Sequence, residues 1–94
     1  MPDTVKPAER IIVAAAPNPF NPAATITFTL PEAGRAAVTI YNLAGQRVAL
    51  LADRQFTAGT HDVRWDAGDF ASGVYVAVVT AGGRTGAVKL TLVR

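Results

Sequence analysis

The sequence of 94 residues contains no cysteine, which excludes a disulfide framework, a zinc site built on thiolates and a cysteine nucleophile. Charged residues make up only 17% of the chain, whereas half of all residues are apolar. A disordered chain has the opposite composition, so we expect one folded domain. No unbroken apolar run exceeds six residues, as in residues 74–79. A transmembrane helix needs about 20, and no membrane insertion is therefore expected.

The chain also lacks any concentration of charge. Nine basic and seven acidic residues leave a net charge of +2, but no two basic residues are adjacent in the sequence. Proteins that bind nucleic acids usually concentrate their lysines and arginines on one surface. We therefore expect no nucleic-acid partner.

The first ten residues differ from the rest of the chain. They are mostly polar and lack the basic start and the apolar core of a signal peptide. We expect a cytoplasmic protein or a domain cut from a longer exported chain. Residues 1–10 are interpreted as a linker or cloning remnant that leads into the first strand, and residues 11–94 as the domain.

Alternation of apolar and polar residues predicts strands along the whole domain. In residues 24–30, Ile26, Phe28 and Leu30 alternate with threonines, a pattern typical of a strand with one buried face. Comparable patterns place strands at residues 11–15, 24–30, 36–41, 46–51, 61–66, 74–81 and 86–94. The strand at residues 74–81 is apolar on both faces, and helix signals are nearly absent.

Turn signals separate these strands. Residues 31–34 form a Pro-Glu-Ala-Gly turn, Gly45 suits the left-handed position of a hairpin loop, and Gly82-Gly83 suits a type I′ hairpin. Seven short strands with turns about every 8–12 residues predict an all-β fold, a seven-stranded antiparallel immunoglobulin-like β-sandwich. The predicted core consists of Ile26, Phe28, Val38, Ile40, Val63, Trp65, Tyr75, Val88, Leu90 and Leu92.

Four sequence motifs occur in a familiar order. They are PNPFNP at residues 17–22, YNLAGQRV at 41–48, GTHDVRWD at 59–66 followed by ASGVY at 71–75, and a last strand that carries Lys89. Together they resemble the C-terminal sorting domain of proteins exported by the type IX secretion system (Por secretion system) of Bacteroidetes-type bacteria. The immunoglobulin-like domain of the flagellar hook-capping protein is similar at greater distance.

The resemblance implies a non-catalytic sorting signal at the end of a secreted cargo protein. Its expected partners are the outer-membrane translocon and a surface processing peptidase, and the cargo is expected at the cell surface or in the medium. A monomer without a cofactor is expected. The family's motif positions carry over to Asn18, Pro19, Asn21, Pro22, Gly45, Gly73, Tyr75 and Lys89. Two departures are Asn42, where Asp is common, and Arg94, where some members have Lys.

Each motif also has a purely structural interpretation. The PNPFNP segment suits a rigid turn in which Phe20 covers one end of the sandwich while Asn18 and Asn21 bond to the backbone. Tyr75 suits a tyrosine corner, with a buried ring and a bonded hydroxyl. Lys89 projects away from the core, either as a recognition charge or as a guard of an edge strand against aggregation.

Little in the sequence suggests catalysis or metal binding. Ser72 lies in no nucleophile elbow, while His61 and Asp62 point to opposite faces of one predicted strand. His61 is expected to pack against the core. Calcium at Asp62, Asp66 and Asp69 stays open, although their spacing matches no EF-hand. The alternative functions are an accessory immunoglobulin-like or fibronectin-like module (stalk or carbohydrate-binding) of a secreted enzyme, and a hook-capping-type assembly domain.

Overall fold

The computed structural model describes residues 11–93, which contain seven β-strands and no helix. The linker predicted over residues 1–10 lies outside the described residues. In chain order the strands are β1 (Ile12–Ala16), β2 (Ala23–Leu30), β3 (Gly34–Asn42), β4 (Arg47–Phe56), β5 (Gly59–Asp66), β6 (Gly73–Ala81) and β7 (Arg84–Leu92). The part of the chain that is described thus offers no helix able to cross a membrane.

The strands form two antiparallel sheets that pack face to face. One sheet has the order β1-β2-β5 and the other has the order β4-β3-β6-β7. This arrangement confirms the seven-stranded, immunoglobulin-like β-sandwich. The main difference from the predicted boundaries is in β4, which extends to Phe56, five positions beyond the predicted end at Leu51. Asp53, Arg54 and Gln55 are polar and exposed on this edge strand, so they carry no alternation signal.

The core lies between the sheets, where inward-facing side chains of both are buried. Among the predicted core residues, Val63 and Val88 differ, because both are only partly buried. Each lies on a strand at the edge of its sheet, which is hydrogen-bonded to only one other strand of that sheet. The other predicted core residues are at most 8% exposed: Ile26, Phe28, Val38, Ile40, Trp65, Tyr75, Leu90 and Leu92.

The first and last strands pass very close to each other and bring the two sheets together. A Cβ atom at Gly86 of β7 would collide with the carbonyl oxygen of Ile11 and would lie 2.8 Å from the Val13 side chain. A residue without a side chain is therefore needed at this crossing. The N-terminal part of the chain consequently runs alongside β7, which positions the segment described next.

Candidate recognition site at one end of the sandwich

The proline-rich segment of residues 17–22, which we call the strap, runs along the outer edge of β7. The side-chain amide of Asn18 donates to the carbonyl of Lys89 at 2.8 Å, and its oxygen accepts from the backbone N–H of Thr91 at 3.0 Å. One asparagine therefore occupies an acceptor and a donor of the edge strand, as a neighbouring strand would.

Phe20 continues this pairing through its backbone. Its N–H donates to the Thr91 carbonyl at 2.9 Å, and its carbonyl accepts from the N–H of Val93 at 3.0 Å. Phe20 thereby forms a parallel bridge to Leu92. The edge of β7 is thus already paired at these positions, so Lys89 is not needed to protect it there from aggregation.

The Phe20 side chain closes the end of the core, as its structural interpretation predicts. It is only 2% exposed, and its ring centroid lies 5.4 Å from that of Trp65. Trp65 in turn contacts Phe70 and Tyr75 edge-on at 5.5 and 5.3 Å. The hydroxyl of Tyr75 donates to the carbonyl of Ala71 at 2.7 Å, which satisfies its polar end while the ring is buried.

The β3–β4 hairpin is organised by Asn42. Its side-chain oxygen accepts from the N–H groups of Ala44 and Gln46, both at 3.0 Å. Gly45 has a φ of 82°, a conformation that glycine adopts without steric cost. Asn42 therefore makes the local turn contacts that an aspartate would make at this position.

The sheet register brings these distant motifs to the same end of the sandwich. Asn42 lies opposite Tyr75, and Tyr75 lies opposite Leu90. Gly73 lies opposite Leu92, to which the strap is also bridged. The strap, the hairpin, the start of β6 and the end of β7 are therefore neighbours in space, although up to 73 positions separate the hydrogen-bonded residues in sequence.

The remaining motif side chains differ in their environment. Lys89 is exposed and lies on the outer face of its sheet, opposite Val76. Pro19 and Pro22 are also exposed. The backbone bond predicted for the Asn21 side chain is wrong, because within residues 11–93 its amide makes no hydrogen bond. Of the two asparagines of the strap, only Asn18 bonds to the backbone through its side chain, at the edge of β7.

The residues considered for catalysis or calcium are engaged separately. His61 Nε2 lies 2.8 Å from the Thr57 carbonyl, and its ring packs against Phe56. Asp62 accepts from the Thr27 hydroxyl, whereas Asp66 accepts from the N–H of its own turn. Across residues 11–93 no three acidic or histidine side chains form a cluster suited to a metal ion.

One concavity of the described region lies away from the motifs. It is an open groove of about 410 Å³ beside the Gly82-Gly83 turn, at the opposite end of β6 and β7. Arg35 and Asp53 line it as an ion pair with a 2.9 Å contact. None of the motif residues lines this groove, so the motifs converge through surface and backbone contacts.

Sequence reasoning missed the backbone partners of the strap. Thr91 and Val93 accept or donate the hydrogen bonds that hold it, and Phe70 joins the aromatic cluster. The two backbone partners are matched to the strap by position alone. No local pattern around residues 91 and 93 signals a contact with residues 18 and 20.

Comparison with known proteins supplies the family context of this geometry. The family model described as the secretion system C-terminal sorting domain matches residues 14–93. A crystal structure of dimeric latent PorU from Porphyromonas gingivalis superposes with a TM-score of 0.66 at 21% identity, and the match covers 88% of this chain and 9% of that chain. This likeness shows a shared fold. No match was found among curated proteins.

Proposed function

The chain belongs to the family of secretion system C-terminal sorting domains, and we propose that the secretion machinery recognises it at the end of the sandwich where its motifs converge. Domains of this family are the sorting signals of type IX secretion, which delivers cargo to the cell surface or the medium. The components that we propose to contact this end are the outer-membrane translocon and the surface processing peptidase.

The observation that carries this proposal is the way in which the strap fixes Lys89. Its carbonyl is held by Asn18, whereas its side chain is exposed and has no ion-pair partner within residues 11–93. A charge on a rigid backbone loses less conformational entropy when it is bound than one on a mobile loop. Lys89 is therefore suited to be a recognition charge.

The same features support a binding role without catalysis. We infer that any enzymatic activity belongs to the cargo, because His61 packs against Phe56 and Asp62 accepts a cross-strand bond from the Thr27 hydroxyl. A carbohydrate-binding module usually presents exposed aromatic rings. All seven aromatic residues of the chain lie within residues 11–93, and each of them is buried or partly buried. The family match likewise does not favour a hook-capping assembly domain.

The test is a paired measurement of export and stability. A periplasmic reporter fused ahead of the full chain is expressed in a type IX host and in a strain that lacks the translocon. We expect Lys89→Ala to reduce secreted reporter while the free energy of unfolding changes by less than about 0.5 kcal/mol. Leu90→Ala, which removes a fully buried side chain, should destabilise by about 2–5 kcal/mol and lose export through misfolding.

Two controls make the result specific. Lys89→Arg keeps the charge and should export normally, and Arg64→Ala removes an exposed cation from the other sheet without effect. Normal export of Lys89→Ala would remove this side chain from the recognition surface. Equal export of the unmodified fusion in both strains would contradict the proposal as a whole.

A further inference from the structure

The outer faces of the two sheets have opposite chemical character. On the three-stranded sheet the outward positions of β2 are Thr25, Thr27 and Thr29, as the burial of the alternate residues shows. On the four-stranded sheet the corresponding positions of β6 are three valines: Val74, Val76 and Val78. An antiparallel sheet with one solvated face normally carries polar residues there, so the valines require an explanation.

The valines lie in an apolar surface that crosses the sheet. Val76 lies opposite Tyr41 of β3, and Val78 lies opposite Thr39 of β3. On the other neighbouring strand, β4, Leu50 lies opposite Thr39. Leu50 is 51% exposed, and the three valines are partly exposed. We call Tyr41, Leu50, Val74, Val76 and Val78 the valine face. Contiguous apolar surface of this kind usually marks a contact with another molecule.

The charges around the valine face are cationic. The register places Arg47, Tyr41, Val76 and Lys89 in one row across the four strands, so the backbones of the two cations are about 14 Å apart with Tyr41 and Val76 between them. Neither has an ion-pair partner within residues 11–93. The acidic Asp53 on this face is already bonded to Arg35 at 2.9 Å.

We propose that the valine face docks a protein surface that has an apolar centre and a carboxylate on each side of it. Charge complementarity favours this partner, because Arg47 and Lys89 would each face an acidic side chain while the valines lose contact with water. The inference rests on the proposed function only in taking the partner from the export pathway.

A second copy of the chain fits this face poorly. In a two-fold face-to-face dimer, the edges that carry Arg47 and Lys89 would meet like-charged edges of the partner. The entire outer side of the four-stranded sheet measures only about 600 Å² in plane, from strand spacings of about 4.8 Å and residue rises of about 3.3 Å, and the valine face is part of it. A stable interface of standard size buries about 800 Å² on each partner. The face therefore suits a transient contact, which a sorting signal must release.

A membrane surface fits it poorly as well. Interfacial anchors combine tryptophans and several long apolar side chains with many basic residues, whereas this face offers Tyr41, Leu50 and two cations around three valines. The single tryptophan, Trp65, is 3% exposed in the core, and valines are too short to reach far beyond the sheet. Binding to vesicles is therefore an outcome that would overturn the proposal.

The first experiment locates the partner by photo-crosslinking inside a type IX host. The photoreactive residue benzoylphenylalanine replaces Leu50 on the valine face or, as a matched control, Ile12, which is 69% exposed on β1 of the other sheet. We expect position 50, and not position 12, to crosslink one protein of the export pathway at a peptide that contains Asp or Glu. A crosslinked dimer of the fusion, or equal crosslinking from both positions, would overturn the proposal.

The second experiment removes the apolar contact without disturbing the strand. Val76→Thr combined with Val78→Thr keeps side-chain shape and β-propensity but places two hydroxyls in the proposed contact. The crosslink from position 50 should weaken by at least about tenfold, whereas Ile12→Thr should leave it unchanged. Arg47→Glu should weaken it as well, because it would face a carboxylate. An unchanged crosslink in the double variant refutes the proposal.

Separate readouts distinguish this inference from the proposed function. If the double threonine variant folds and exports normally while Lys89→Ala does not, the valine face is not a docking site and the proposed function stands. If Lys89→Ala exports normally while the double variant fails, Lys89 is not the recognition charge of the proposed function, and the carboxylate proposed opposite Lys89 is refuted while the apolar contact stands. Flotation of the purified chain with anionic phosphatidylglycerol vesicles, abolished in the double variant, would assign the face to lipid and overturn the protein partner.

Discussion

Replacing Asn18 by alanine tests the strap directly. The change deletes two hydrogen bonds to β7, one to the Lys89 carbonyl and one from the Thr91 N–H. Each contributes about 0.5–1.5 kcal/mol, and water can reach the exposed groups afterwards, so we expect a loss of about 1–2 kcal/mol. For a domain of this size each kcal/mol lowers the melting temperature by about 4–8 °C.

A neighbouring residue provides the matched control. Asn21 is exposed in the same strap and makes no side-chain hydrogen bond within residues 11–93, so Asn21→Ala should change stability by less than about 0.5 kcal/mol. Asn18→Asp should be at least as destabilising as the alanine variant, because it keeps the acceptor for Thr91 but turns an oxygen toward the Lys89 carbonyl.

The assays are thermal unfolding and amide hydrogen exchange of the purified chain. The Thr91 amide should exchange faster in Asn18→Ala than in the unmodified protein, because its acceptor is gone. Equal melting temperatures of Asn18→Ala and Asn21→Ala, or unchanged exchange at Thr91, would refute the assignment of the strap as the element that pairs the β7 edge.

Three further substitutions test the packing that positions this end of the sandwich. Gly86→Ala should destabilise the domain by about 1–3 kcal/mol in urea denaturation, because its Cβ would collide with the Ile11 carbonyl. The control Gly34→Ala should be near neutral, since nothing lies within 4 Å of the added Cβ. Equal effects of the two variants would contradict the close crossing of β1 and β7. Tyr75→Phe should cost about 0.5–1.5 kcal/mol through loss of the bond to Ala71, and an unchanged denaturation midpoint would show that the bond does not stabilise the domain. Trp65→Ala should cost about 3–5 kcal/mol, because Trp65 contacts Phe20, Phe70 and Tyr75; an unchanged melting temperature would remove it from the core.

Local sequence patterns were sufficient to place the seven strands and most turns, although not the end of β4. The alternation of Ile26, Phe28 and Leu30 with threonines depends only on the two-residue period of a strand, and it identifies β2 with its buried face. Gly45 and the Gly82-Gly83 pair mark turns because glycine adopts a positive φ at little cost, and all three have one. The motif order was likewise visible in the sequence alone, and it indicated the resemblance that the family match confirms.

Tertiary structure decided which of these segments meet. The bonds from Asn18 to Lys89 and Thr91 join residues more than 70 positions apart, and their partners are backbone groups, which every residue possesses. No side-chain pattern can therefore encode the pairing. The partial burial of Val63 and Val88 has a similar origin, since strand order, and not alternation, determines which strands lie at an edge. The sequence already predicted that β6 is apolar on both faces. Only the strand register showed that its outer valines lie between the strands that carry Arg47 and Lys89.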